Sequence, residues 1–339
     1  MSKVVTLQPS GFQIHCNTDE TILQAATRQG YRLRRSCDAG TCQLCEGRLL
    51  KGTVQLKHPK GTVSATEQHH PGVFCCLAIP TQSITIEVEN VLAPGQLPTH
   101  EVSAQILSVD QVSSDVKVVQ VRLPAGKKIE FYAGQYLEVL LPEDNNAAFS
   151  IASAPRTDRS LELHIRANSD SESYPFLEAQ LSTGNALKLR LPSGATTLHK
   201  LEQAQEIVFI AASTGFSQMK AMVEALIEAQ DTRPLHIYWG ARTAEDLYLD
   251  AQVRQLSHQH PHIHYTPVVS EQANWQGRSG MVHQAVLEDN NHFKDDIKGK
   301  QFVCGGSPAM VYAVFDDFIK AGMAPEQMIS DVFDYAPRD

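Results

Sequence analysis

At 339 residues, 42% of them hydrophobic and 20% charged, the chain has enough apolar surface for two or three domains, which excludes a disordered or fibrous protein. Lys and Arg number 29 against 38 Asp and Glu, and the net charge of −9 argues against nucleic acid or an anionic membrane as the main partner. No apolar run reaches the ~18 residues of a membrane span, and Met1 to Ser10 has no secretory-leader pattern, so the expectation is a cytoplasmic protein.

The first segment, 1–92, reads as strand, turn, strand, then a helix over Thr21 to Gln29, a cysteine-bearing loop and a closing strand Ile84-Thr85-Ile86-Glu87-Val88. The stretch Thr18-Asp19-Glu20-Thr21 supplies the helix start, with Asp19 near the positive end of the dipole. Seven cysteines are too few for a disulfide scaffold of this length. Three of them, Cys37, Cys42 and Cys45, form a C-x4-C-x2-C run, the plant-type spacing for a 2Fe-2S cluster whose fourth thiolate lies far downstream. That fourth ligand is Cys75 or Cys76. Such a loop must turn three sulfurs inward and its N–H groups toward the sulfides, and Gly40 suits it because it accepts positive φ. Zinc is the competing reading, but it wants a second close-spaced pair, which the adjacent Cys75 and Cys76 supply poorly. Cys16 has no partner in the pattern and reads as a small buried hydrophobe.

Val91 to Pro98, with two prolines and a glycine, fits a linker. From 99 to 200 short alternating runs recur between turn residues: Val116 to Val121, Tyr136 to Leu141 and Leu161 to Ile165. They predict an antiparallel β-barrel. From 204 to 339 the strands become continuously apolar (Ile207 to Ala212, Leu235 to Trp239, Gln301 to Cys304), with amphipathic helices over Met219 to Ile227 and Ala309 to Lys320. That pattern predicts a parallel sheet covered on both faces, an α/β domain.

Beyond the cysteine loop, the chain resembles the ferredoxin-NADP reductase superfamily in the variant with an N-terminal β-grasp 2Fe-2S ferredoxin domain. Flavin reductases, CDP-6-deoxy-glucoseen reductases and oxygenase reductase components look nearest. The stretches that carry the resemblance are Gly134-Gln135-Tyr136, Phe149 to Pro155, His236 to Gly240 and Val282 to Asp289. In the first domain the family's last ligand precedes C-x-A-x-P, and Cys76-Leu77-Ala78-Ile79-Pro80 fits that register, so the resemblance favours Cys76 over Cys75. Many relatives carry Gly after the second cysteine where this chain has Gln43.

The resemblance implies FAD or FMN on the barrel. Phe149 would pack on the isoalloxazine, Ser150 would reach the N5 region as a catalytic group, and Ile151 would complete that strand. His164 and Ile165, after Leu163, would offer backbone hydrogen bonds to the ring's polar edge. The family pattern R-x-[YF]-[ST] has Ala147 in place of its arginine, and the missing charge-assisted phosphate contact implies weaker flavin retention, with Arg166 the other cation at hand.

For NADH or NADPH the resemblance points to the turn Ala212-Ser213-Thr214-Gly215-Phe216-Ser217, which follows a strand and opens a helix. Thr214, Gly215 and Ser217 are its implied contacts, with Ser213 standing for a family glycine and Gln218 near a family proline. The second turn, Cys304-Gly305-Gly306-Ser307-Pro308-Ala309-Met310, resembles C-G-x-x-x-M and would bring Cys304 beside the nicotinamide, with Gly305 and Ser307. Glu245 and Asp246 beside Arg242 lean the choice toward NADH.

Together these imply a reductase that takes a hydride from NAD(P)H on flavin and passes electrons through 2Fe-2S to an oxygenase or dehydratase partner. The rival readings are a reductase releasing free reduced flavin and a ferredoxin-like carrier or sensor. Up to residue 80 nine basic and five acidic residues give +4, leaving −13 for the remainder, and Arg32, Arg34 and Arg35 lead into Cys37. An acceptor with an acidic docking patch would suit that charge.

Overall fold

The computed structural model describes residues 2–126, 128–168, 171–201, 204–289 and 297–338. They fall into two compact units, Met1–Pro98 and Thr99–Asp339. The second unit holds both the expected barrel and the expected α/β part.

The first unit contains β1 (Lys3–Gln8), β2 (Gln13–Cys16), α1 (Ile22–Arg28), β3 (Glu46–Lys51), β4 (Thr53–Leu56), β5 (Gly61–Ser64), β6 (Gly72–Phe74), β7 (Ala78–Pro80) and β8 (Ile84–Glu87). The sheet runs β2-β1-β8-β3-β6, with β1 and β8 parallel at its centre, and β5-β4-β7 forms a smaller sheet. Alternation along β1 and β8 buries Val5, Leu7, Ile84 and Ile86 against Ile22, Leu23, Ala25 and Ala26 of α1, a β-grasp core. The helix lies where it was expected, with Thr21 and Gln29 as its caps. Thr21 and Gln24 form a capping box, while Asp19 sits outside it in a turn at φ 62°, so no acid occupies the first turn.

In the second unit, β9 (His100–Gln111), β10 (Val116–Arg122), β11 (Tyr136–Val139), β12 (Ala147–Ser150), β13 (Ser160–Arg166), α2 (Tyr174–Thr183) and β14 (Ala186–Ser193) come first. The sheet order is β12-β11-β14-β9-β10-β13, with antiparallel neighbours throughout. A bridge between Ile151 and Leu163 brings its two ends together, closing the barrel around Leu137, Val139, Leu163, Leu187 and Leu189.

The α/β part follows with β15 (Glu206–Ala212), α3 (Phe216–Glu228), β16 (Leu235–Ala241), α4 (Asp250–Gln259), β17 (Ile263–Val269), β18 (Arg278–Ser279), α5 (Val282–Asp289), β19 (Lys300–Gly305), α6 (Pro308–Lys320), β20 (Met328–Ile329) and α7 (Val332–Tyr335). The parallel sheet is ordered β18-β17-β16-β15-β19-β20. Successive strands step outward from β15 and then return to its other side at β19, and a crevice for a ligand opens at such a reversal, beyond the strands' carboxyl ends. Each sheet face carries its own core: Phe209, Ala211 and Val303 with α3, and Val208, Ile210 and Phe302 with α5 and α6.

Candidate functional site

The cysteine loop lies between α1 and β3. Its turn geometry demands residues with unusual backbone angles: Gly40 has φ 76°, and Gln43, where relatives have glycine, holds φ 61°. A side chain in that left-handed region costs about 1 kcal/mol, so the fold holds Gln43 there at some expense. The thiols approach in two pairs, Cys37 with Cys42 and Cys45 with Cys76. The Cys42 N–H donates to Cys37 Sγ at 3.3 Å, and this bond, with Ala39 N–H and the Cys42 thiol, lowers the Cys37 pKa to about 7. Burial, followed by the Cys45 thiol, pushes Cys76 up to about 11, and the Gly40 N–H points back at its sulfur.

Cys75 goes the other way. Its backbone ties Cys45 O to Leu23 N at 2.9 Å each, while its thiol, 0% exposed, is buried in the β-grasp core. Cys16 is buried in the same core. Among the described residues no three His, Cys, Asp or Glu side chains close around a single metal-ion position. Two pairs instead of one tight group fit a two-iron cluster, in which each iron takes two protein thiolates.

On the barrel, the Ile151–Leu163 bridge and the Ala152 N–H to Glu162 O bond are the pairing between the β12 and β13 ends among the described residues. Beyond them a seam opens, with half-buried Phe149 and Ser150 on one lip and His164 to Arg166 on the other. Strand backbone that lacks a strand neighbour there has hydrogen-bonding groups to offer to the edge of a flat ring system. Ile151 and Ile165 point into the barrel core, so they can offer only backbone. The His164 ring is buried and held by Tyr248 and Glu162.

Continuing the bridge register sets Ala147 opposite 167 across the seam, next to Arg166. Arg166 is already engaged: its Nε donates to Asp115 at 2.6 Å and its Nη1 to Ser213 Oγ at 2.8 Å. Ala147→Arg is therefore expected to tighten flavin binding about tenfold or more, the effect of one added hydrogen bond to a phosphate. Fluorescence titration measures it, and unchanged affinity would show that the phosphate lies elsewhere.

The turn Ala212 to Ser217, where a nicotinamide cofactor was expected, follows β15. Ser213 keeps a left-handed φ of 52° without being glycine, and two donors fix it: Arg166 at its hydroxyl and Trp239 Nε1 at its carbonyl, 2.9 Å away. Ser217 Oγ donates to Thr214 O at 2.8 Å, closing the first turn of α3. Gly215 lies against Gly305 and Gly306 of the second turn, so the two turns touch through bare backbone at the sheet reversal. Ser307 caps α6 by accepting from Met310 N.

Cys304 does not meet the expectation of a thiol beside the nicotinamide. It is 0% exposed in the core on the α6 face, with its sulfur 4.0 Å from Met310 Sδ, and burial pushes its thiol far up. The chain carries one residue more between cysteine and methionine than C-G-x-x-x-M, and a one-residue shift on a strand turns a side chain to the opposite face. Asp246 accepts from Thr243 N and Oγ1 at 2.9 Å each, which engages the acid that leaned the reading toward NADH.

Comparison with known proteins agrees with this layout. Residues 5–81 match the 2Fe-2S iron-sulfur cluster binding domain, 103–198 the oxidoreductase FAD-binding domain and 209–316 the oxidoreductase NAD-binding domain. The CDP-6-deoxy-L-threo-D-glycero-4-hexulose-3-dehydrase reductase of Yersinia pseudotuberculosis is 33% identical over 335 residues, 98% of this chain and 99% of its own. The chain belongs to the iron-sulfur flavoprotein reductases of the ferredoxin-NADP reductase superfamily. Another member of these reductases, the phenol 2-monooxygenase reductase component DmpP of a Pseudomonas species, is 32% identical over 323 residues, 93% of this chain and 90% of its own. A crystal structure of the Amycolatopsis cytochrome P450 reductase GcoB superposes with a TM-score of 0.64 at 26% identity, covering 97% of this chain and 98% of that one. The chain is an oxidoreductase, and no helix among the described residues is long and apolar enough to cross a membrane.

Proposed function

We propose that this reductase takes electrons from NADH and delivers them singly to a separate acceptor protein, a dehydratase or oxygenase component. When bound, flavin accepts the hydride and releases electrons one at a time through the 2Fe-2S cluster, a conversion that neither nicotinamide nor cluster performs alone. Cys37, Cys42, Cys45 and Cys76 hold the cluster. Phe149, Ser150 and the backbone of His164 and Ile165 hold the flavin ring in the barrel seam, and Ser150 orients its reacting edge. Thr214, Gly215, Ser217, Gly305 and Ser307 receive the nicotinamide cofactor where the two turns meet. The observation that carries this reading is the pairing of four thiols at plant-type spacing in a chain whose full length matches reductases of this type. NADH-driven bleaching of the cluster absorbance tests it, and flavin reduction with a cluster that stays oxidised would leave only a flavin reductase. Ala147 gives that second reading its one support, and flavin lost on dialysis after reduction would favour it.

Arg32, Arg34 and Arg35 are exposed beside Cys37, and Leu44, between two of the thiols, is 45% exposed. An apolar tip within a basic rim suits an acceptor with an acidic patch, although Arg35 also pairs with Asp38 at 3.2 Å. Electron delivery to the partner is expected to fall about tenfold or more as salt shortens the Debye length from about 10 Å at 0.1 M to 3 Å at 1 M. Arg34→Glu with Arg35→Glu should give the same loss at low salt. A rate indifferent to both salt and charge reversal would remove the docking role.

A further inference from the structure

A cluster of buried polar side chains lies between β13 and α3, and the proposed cofactor sites use only the backbone of one of its members, His164. Glu162, 7% exposed, stands on a strand whose neighbours Leu161 and Leu163 point into the barrel. Its Oε1 meets His164 Nε2 at 2.8 Å and Lys220 Nζ at 3.0 Å, and its Oε2 accepts from Gln120 Nε2 at 2.7 Å. Burial opposes the charge on Glu162, but His164 and Lys220 outweigh it and hold the pKa at about 2, below the ordinary 4.5. The carboxylate's contribution is therefore complete above about pH 4.5 and is lost as the pH falls toward 2. Burial keeps His164 neutral, so Nε2–H donates to Glu162 and Nδ1 accepts from Tyr248 O–H at 2.9 Å.

The partners of this cluster are specific places in the two cofactor sites. Lys220 Nζ also donates to Ala152 O at 3.2 Å, and Glu224, paired with Lys220 at 2.6 Å, accepts from Ala154 N at 3.0 Å. Ala152 and Ala154 directly follow the strand Phe149 to Ile151. Arg156 approaches both Glu162 and Glu224, at 3.7 and 3.5 Å. At its other end, Tyr248 packs edge-on against Trp239 with ring centres 5.2 Å apart, Trp239 stacks on Phe216 at 4.2 Å, and Trp239 Nε1 holds Ser213 O. One connected set of contacts thus runs from the exit of the flavin strand to the base of the nicotinamide turn, and α3 begins at that turn. Well-packed apolar residues would hold the two parts together at least as firmly as buried ions, so stability alone does not account for the set. Fixed placement does.

We propose that Glu162, Lys220, His164 and Tyr248 are positioning residues for hydride transfer: they set the spacing between the strand Phe149 to Ile151 and the turn Ser213 to Gly215. This rests on the reading under Proposed function. A misplacement of about 1 Å costs up to about 100-fold in rate without altering what binds.

The test is single-turnover reduction of the flavin by saturating NADH, read with flavin and nicotinamide dissociation constants and with hydrogen exchange at the Ala152 and Ala154 amides. In Lys220→Met and Glu162→Gln the maximal rate should fall tenfold to about 100-fold, the amides should exchange faster, and both dissociation constants should stay within about twofold. Lys220→Arg should recover most of the rate. Tyr248→Phe removes one hydroxyl and keeps the ring on Trp239, so it should fold and slow the step by about threefold or more. Unchanged rates in Lys220→Met and Tyr248→Phe, or slowing that only follows lost cofactor binding or unfolding, would overturn the proposal. A wild-type protein whose flavin NADH cannot reduce would instead overturn the functional reading beneath it.

Discussion

Serine at position 37, 42, 45 or 76 is expected to abolish the visible absorbance of the iron-sulfur cluster and reduce iron and sulfide from about two each per chain toward zero. Serine at position 75 should leave both intact. The contrast follows from the direction of two adjacent side chains. Cys76 shares a hydrogen bond with the Cys45 thiol and receives the Gly40 N–H, whereas the Cys75 thiol is 0% exposed in the β-grasp core. Replacing Cys75 exchanges a small buried hydrophobe for a hydroxyl in the core, so its effect belongs in the folding stability, lowered by about 1–3 kcal/mol by unmet hydrogen bonding. Iron analysis beside thermal melting separates the two. Cluster loss in Cys75→Ser with retention in Cys76→Ser would reverse the assignment.

Gly215→Ala should weaken nicotinamide binding by about 100-fold, while flavin and cluster contents remain at wild-type levels. A Cβ at 215 would lie 2.4 Å from Gly305 O and 2.5 Å from Gly305 C, both backbone atoms that cannot rotate aside. The two turns would have to part, and overpacking of this kind costs about 1–3 kcal/mol besides opening the crevice. Equilibrium titration with NADH measures the loss. Wild-type affinity in this variant would mean that the cofactor does not use the junction of the turns.

The parts of this molecule that could be read from sequence are those encoded within one element or loop. Continuous apolar strands at Ile207 and Leu235 became β15 and β16, and the local spacing of Cys37 and Cys42 put those two thiols in contact, whereas Cys45 meets Cys76 from far along the chain. Spacing could not separate Cys75 from Cys76, because adjacent residues share a register and differ only in which way the folded chain turns them. For Cys304 the motif could not tell which face the thiol takes: Val303 packs on the α3 face and Cys304 on the α6 face, both fully buried. The helix start was legible as the stretch Thr18 to Thr21, but which residue caps it, Thr21 with Gln24, depends on the folded turn. The Glu162 cluster was the least legible. Its members are distant in sequence, and the only local sign was a carboxylate and an imidazole alternating with Leu161, Leu163 and Ile165.

The chain has two tryptophans, and they occupy unlike surroundings. Trp239 is 0% exposed, stacked on Phe216 with its indole N–H on the Ser213 carbonyl, while Trp275 is only partly buried and donates to Arg278 O. The quencher-resistant part of the intrinsic emission is therefore expected to come from Trp239, whose ring is hydrogen-bonded to the turn between β15 and α3, which would make it a native optical reporter on that turn.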